Sequence, residues 1–127
     1  MKIIIDTHTL LWFLNNDKKL SKKAKKIIEN TSNDLFISIA SFWEISIKLS
    51  LSKLVLDIPF KLLFDESEKL NIKILHIKKE HLITLTELPF IHRDPFDRII
   101  VSQGIFEGYV IISIDKIFDK YKIKRIW

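Results

Sequence analysis

The sequence predicts an α/β domain with a mainly parallel central sheet and helices on both faces. Three observations predict it. Short apolar runs, KIII at 2–5, LFISI at 35–39, IKILHI at 72–77 and YVIISI at 109–114, read as strands. Segments whose apolar residues recur at helical spacing lie between them. Strand and helix therefore alternate along the chain, the pattern of a parallel sheet buried on both sides.

Each element has a local reason. Lys2 to Ile5 is apolar and stops at Asp6; Leu10, Leu11, Phe13 and Leu14 then follow a helical period until Asn15-Asn16-Asp17 breaks it. Ser21 suits the N-cap of a helix over SKKAKKIIEN, with Ala24, Ile27 and Ile28 on one face. After the strand at Leu35–Ile39, Ser41 opens a helix to about Leu51. Pro59 fits the first turn of the next helix, which places Leu62, Leu63 and Leu70 toward a core and ends at Asn71. Ile72–Ile77 is a strand and Lys78–Leu85 a helix. Asp94-Pro95 starts a helix that runs to about Phe106, with Gly108 as terminator. Tyr109–Ile114 is the most continuous strand and ends at Asp115; the tail KIKRIW is a short edge strand guarded by Lys122, Lys124 and Arg125. No repeat, low-complexity tract or linker interrupts the chain, so residues 1–127 read as one domain.

Composition removes several function classes. With no cysteine there is no disulfide framework, thiolate zinc site or cysteine nucleophile. The only glycines, Gly104 and Gly108, cannot build a phosphate-cradling loop. No apolar run is long enough to span a bilayer, and Asp6 interrupts the N-terminal run before it reaches the length of a signal peptide, so the expected location is the cytoplasm. The net charge of +5 favours a polyanionic partner, although lysine-rich surfaces often serve solubility alone.

The acids carry the chemistry. Ligands of open parallel sheets bind beyond the carboxyl ends of the strands. Asp6 and Asp115 each follow an apolar strand, so both should emerge at that edge, where each also suits an N-cap. Glu44 reads first as the partner of Ser41 in a capping box. In HRDPFDR, Asp94 caps, Pro95 takes the first helical position and Asp97 meets the positive end of the helix dipole. Together these are four acids at element junctions, Asp6, Glu44, Asp97 and Asp115, on a basic chain. Carboxylates gathered in a cleft raise one another's pKa and are stable when ionised only with cations between them. Oxygen ligands select Mg²⁺ or Mn²⁺, an arrangement suited to phosphodiester hydrolysis by a metal-activated water.

The segments IIIDTHTLLW, SFWEISIKLSLSKL, HRDPFDRIIVSQ and VIISID resemble, in this order, the PIN domain, and in particular the VapC-type toxins of type II toxin–antitoxin pairs. The resemblance implies a Mg²⁺- or Mn²⁺-dependent endoribonuclease with an RNA substrate, a cognate antitoxin and a homodimeric state. It places the core acids at Asp6, Glu44 and Asp97 and a more variable acid at Asp115. It leaves Asp94 as a cap or outer group, offers Thr7 or Thr9 as a hydroxyl near the first acid, and suggests that Ser113 orients water or an acid. Relatives often carry glycine before Lys-Leu where this chain has Ser52.

Other residues have two readings. His8 and His92 flank acids and read as hydrogen bonders rather than ligands; His76 and His81 carry no expected chemistry. Arg93 and Arg98 bracket the aspartate pair and suit either an ion pair with them or phosphate contact. Lys22, Lys23, Lys25 and Lys26 make a basic face, and Lys48 sits one turn after Glu44. Trp12, Phe13, Phe42 and Trp43 are core residues or part of a surface for a second copy or an antitoxin. A dehalogenase-like phosphatase would need an aspartate where His8 stands, and a response-regulator receiver an acidic pair near Asp6. The remaining rival is a PIN-like domain that binds RNA or protein without cutting.

Overall fold

The computed structural model describes all 127 residues. Five strands, β1 (Lys2–Ile5), β2 (Asp34–Ser38), β3 (Ile72–Leu75), β4 (Val110–Ile112) and β5 (Arg125–Ile126), form one sheet in the order β3-β2-β1-β4-β5. Every neighbouring pair is parallel, so the sheet is wholly rather than mainly so. Six α-helices connect and cover it: α1 (Thr7–Leu14), α2 (Lys22–Glu29), α3 (Ile39–Ser50), α4 (Phe60–Lys69), α5 (Lys79–Glu87) and α6 (Pro95–Glu107). A 3₁₀ helix, Lys116–Lys120, precedes β5. No helix is long and apolar enough to cross a membrane.

Side chains alternate across a strand, and the sheet is therefore the wall between two cores. Ile3 and Ile5 pair in register with Leu35 and Ile37 and pack with Leu10 of α1, Ala24 and Ile28 of α2, Phe42 and Ile45 of α3 and Leu63 of α4. Ile4 faces the other way, with Ile111, under Ile99, Ile100 and Val101 of α6 and beside Phe118 and Tyr121. Ile4 has no exposed surface. Ile4→Ala should lower the unfolding free energy by about 2–5 kcal/mol, the usual range for emptying such a site; urea unfolding with an unchanged slope is the measurement.

Most predicted caps are present. The Ser21 side chain accepts from the Ala24 N–H at 3.0 Å, and Gly108 ends α6 in the left-handed conformation at φ 72°. Ser52 follows α3 at φ 54°, a conformation glycine adopts without strain. One helix start differs. The N-cap of α3 is Ser38, whose Oγ accepts from the Ala40 N–H at 3.1 Å, not Ser41. Strand β2 runs straight into α3 with no loop, so the helix begins earlier than the sequence suggests. The Ser41–Glu44 capping box does not form; Ser41 Oγ is buried without a partner, and Glu44 lies in the second turn, free to face elsewhere. Leu62 and Leu70 are exposed, and of the leucines predicted for the α4 core face only Leu63 is buried.

His81, expected to be inert, is fully buried between α5 and α6. Its Nδ1 accepts from the Lys78 N–H at 3.0 Å, so Nε2 carries the proton and donates to Glu107 at 2.9 Å. That bond, with Lys78 beside it, holds the Glu107 carboxyl below its usual range.

The strand order reverses at β1: β2 and β3 lie to one side, β4 and β5 to the other. A crevice opens beyond the carboxyl ends of β1 and β4, the place where open parallel sheets bind ligands.

Candidate active site

Asp6, Glu44, Asp97 and Asp115 come from four separate segments and line one cleft of about 420 Å³ at that edge, with Thr7, His8, Lys48 and Asp94.

Asp6 follows β1 and is both an N-cap and a cleft residue. Its Oδ1 accepts from the Thr9 N–H at 2.9 Å, which starts α1, and its Oδ2 accepts from the Ser113 hydroxyl. Ser113 follows β4 and is fully buried, and its Oγ accepts from the Asp115 N–H at 3.0 Å. One serine hydroxyl thus ties the acids of two adjacent strands together. Burial pushes the Asp6 carboxyl above its ordinary value, against the Ser113 and Thr9 hydrogen bonds that pull it down. Ser113→Ala should leave the fold intact and weaken any metal-dependent activity about 10–100-fold, the usual effect of removing a hydrogen bond that holds a ligating group; parallel melting curves and rate measurements check it.

Glu44 faces the cleft from α3 and pairs with Lys48 one turn on, at 3.4 Å. Asp94 caps α6 by accepting from the N–H groups of Phe96 (2.9 Å) and Asp97 (3.0 Å), with Pro95 at the first helical position. That cap fixes the first turn and aims Asp97 into the cleft. Burial, the neighbouring Asp94 charge and, less strongly, Glu44 push the Asp97 carboxyl up to about 6, while a hydrogen bond from His92 opposes them. Asp115 sits exposed at the rim, where its Oδ1 accepts from the Ile117 N–H at 3.0 Å and starts the 3₁₀ helix. Thr7 is a buried wall residue, and Thr9 Oγ1 donates to the Ile112 carbonyl at 3.4 Å.

One expectation changes, that for Arg98, while His92 is the hydrogen bonder the sequence predicts. Arg98 takes neither aspartate as an ion-pair partner; its guanidinium lies over Phe90 at 4.8 Å and donates to the Pro89 carbonyl (3.1 Å) and the Tyr121 hydroxyl (3.4 Å). Its place on the first turn turns it away from the cleft. His92 bonds Asp97 Oδ2 through Nε2 at 3.2 Å and Tyr121 through Nδ1 at 2.6 Å. Tyr121 was not foreseen: it lies 29 residues from His92 in a lysine-rich tail without a motif.

No three acids or histidines are gathered closely enough to hold an ion as they stand. Each carboxylate has partners of its own: Asp6 is bonded to Thr9 and Ser113, Glu44 to Lys48 and Asp97 to His92. The donor set nevertheless suits a hard divalent cation, since it consists of carboxylate oxygens, and at Asp97 burial and the Asp94 and Glu44 charges favour the proton that such a cation would replace.

A family model for the PIN domain matches residues 3–124. No curated protein matches the chain in sequence. Among solved structures, the chain is similar to VapBC2 from Rickettsia felis bound to a DNA fragment from their promoter, with a TM-score of 0.72 at 14% identity, covering 99% of this chain and 98% of that one. It is also similar to VapBC-1 from nontypeable Haemophilus influenzae, with a TM-score of 0.67 at 14% identity over 99% and 97% of the two chains. DNA-bound VapBC from Salmonella typhimurium gives a TM-score of 0.67 at 17% identity over 99% and 97%. At these identities the likeness is one of fold.

Proposed function

The chain belongs to the PIN-domain family, and from that premise we propose that it is a metal-dependent endoribonuclease, the toxin of a type II toxin–antitoxin pair, working in the cytoplasm. The observation that carries the reading is the convergence of Asp6, Glu44, Asp97 and Asp115 on one cleft at the topological switch of the sheet. The similar VapBC structures support the toxin–antitoxin half of it.

Asp6, Glu44 and Asp97 would hold Mg²⁺ or Mn²⁺, with Asp115 at the rim. Such an ion, when bound, lowers the pKa of a water and offsets charge at the scissile phosphate. The chain's own contribution is to place the oxygens. Ser113 and the Thr9 N–H fix Asp6, and Asp94 fixes the turn that presents Asp97. Lys48, paired with Glu44, is the one lysine or arginine lining the cleft and would serve a phosphate oxygen. Exposed Lys22, Lys23 and Lys26 on α2 supply a basic face for the RNA backbone. Trp43 (59% exposed) and Ile47 on α3 and Leu51 at its C-cap recur every fourth residue and form an apolar stripe for a second copy or the antitoxin.

A second reading, a PIN-like domain that binds without cutting, draws on the absence of a ready-made three-ligand cluster. Incubation of the protein with RNA and Mg²⁺ or Mn²⁺, with and without chelator, separates the two. Nuclease action gives discrete products that vanish on chelation. Salt-sensitive binding with no product under any metal would establish the second reading instead.

A further inference from the structure

The nuclease reading leaves one set of side chains unused. Arg98 donates to the Tyr121 hydroxyl at 3.4 Å, Tyr121 meets His92 Nδ1 at 2.6 Å, and His92 Nε2 meets Asp97 Oδ2 at 3.2 Å. With Asp97 ionised and His92 neutral, the directions follow from donor and acceptor chemistry. An ionised Asp97 only accepts, so Nε2 carries the proton; Nδ1 of neutral His92 then accepts, and the Tyr121 O–H donates to it. The Tyr121 oxygen in turn accepts from Arg98, which can only donate. The chain of donors thus has one polarity, from a guanidinium at its start to a cleft carboxylate at its end.

The surroundings keep this chain in place. Tyr121 is almost fully buried in the core beneath α6, and its ring meets the His92 ring edge-on at 5.5 Å. Arg98 is held at its outer end by Pro89 and Phe90. With Oδ2 engaged by His92, the rotation of the Asp97 carboxylate is restrained while Oδ1 makes no side-chain hydrogen bond.

We infer that His92, backed by Tyr121 and Arg98, is the positioning residue that holds Asp97 ready for a divalent cation. The inference rests on the nuclease reading, since it assigns Asp97 a ligand's task. Hydrogen-bonded partners of ligating carboxylates orient the ligand and tune its basicity. A purely structural set of bonds would have no need to end on a carboxylate in the cleft.

The test is calorimetric titration of the intact protein with MnCl₂, on the parent, His92→Phe, His92→Gln, Tyr121→Phe and the double variant His92→Phe/Tyr121→Phe. His92→Phe should weaken Mn²⁺ binding about 10–100-fold, and His92→Gln, which keeps an N–H donor, should recover part of that loss. Tyr121→Phe removes one hydroxyl, keeps the buried ring, and should weaken binding by a smaller factor. In the His92→Phe background the Tyr121 change should have no further effect, the signature of a residue acting through another. A parent that binds no Mn²⁺ would overturn the nuclease reading and this inference with it. A parent that binds Mn²⁺ while Tyr121→Phe and His92→Phe bind as well as it does overturns the inference alone. Independent, multiplicative losses in the double variant also overturn it. Because Tyr121→Phe preserves packing, its titration decides the matter even where replacing His92 disturbs the loop.

Discussion

Asp97→Asn should abolish metal-dependent RNA cleavage while making the metal-free protein more stable at neutral pH. Removing a ligand that places a cation at the reacting phosphate costs several kcal/mol of transition-state stabilisation, a loss of roughly a thousandfold or more in rate. The amide keeps the shape of the carboxylate and can still accept from His92, so RNA affinity should change little. The stability change has a defined sign. The Asp97 carboxyl is pushed from 3.8 up to about 6, first by burial and then by Asp94. The native state therefore favours the protonated acid, and the stability this contributes is fully present below about 4 and lost as the pH rises through about 6. Two units correspond to at most about 3 kcal/mol, and partial solvation of the side chain reduces that to roughly 1–2 kcal/mol. An asparagine has no such loss. The variant should match the parent near pH 4 and exceed it by that margin at pH 7.5, in urea unfolding with chelator present. A variant that still cuts at the parental rate removes Asp97 from the site.

The parts of the fold that were legible in the sequence are those set by local rules. Asp94-Pro95 announces a helix start and Gly108 its end because capping chemistry acts within a few residues. Asp6 and Asp115 could be placed at one edge because a parallel sheet puts all its strand ends there, and both line the cleft. Their double role as caps and cleft residues was left open by the sequence; in the structure each is both at once. Glu44 was harder. The sequence pointed to Ser41 as the cap, but the position of the cap depends on where β2 stops, which the sheet decides, and β2 ends at Ser38. Choosing Ser41 ties Glu44 to the backbone; Ser38 frees it for the cleft. The Tyr121–His92 bond was illegible because it joins segments far apart in sequence through burial alone. Arg98 was misjudged for a related reason: adjacency to Asp97 in sequence says little about direction on a helix, where neighbours point about 100° apart.

Mg²⁺ or Mn²⁺ should raise the melting temperature of the parent, and the rise should shrink as the pH falls through about 6. Three separate stretches of chain bring Asp6, Glu44 and Asp97 together, so an ion that needs them binds the native state and not the unfolded chain. At a hundredfold excess over its dissociation constant such a ligand stabilises by about 2.7 kcal/mol, several degrees in a domain of this size. The cleft holds an unfavourable term for the ion to relieve: burial raises Asp6, and burial with Asp94 and Glu44 raises Asp97. Below about 6 Asp97 keeps a proton that the ion must displace, so cation and proton compete and the gain falls on the acid side. Generic screening predicts something different, since a monovalent salt at matched ionic strength would then act as well as the divalent one. Melting curves with MgCl₂, MnCl₂ and matched KCl at pH 5.0 and 7.5 distinguish the two. Equal shifts from KCl and MgCl₂, or a shift that survives in Asp97→Asn, would show that the carboxylates repel one another without sharing an ion.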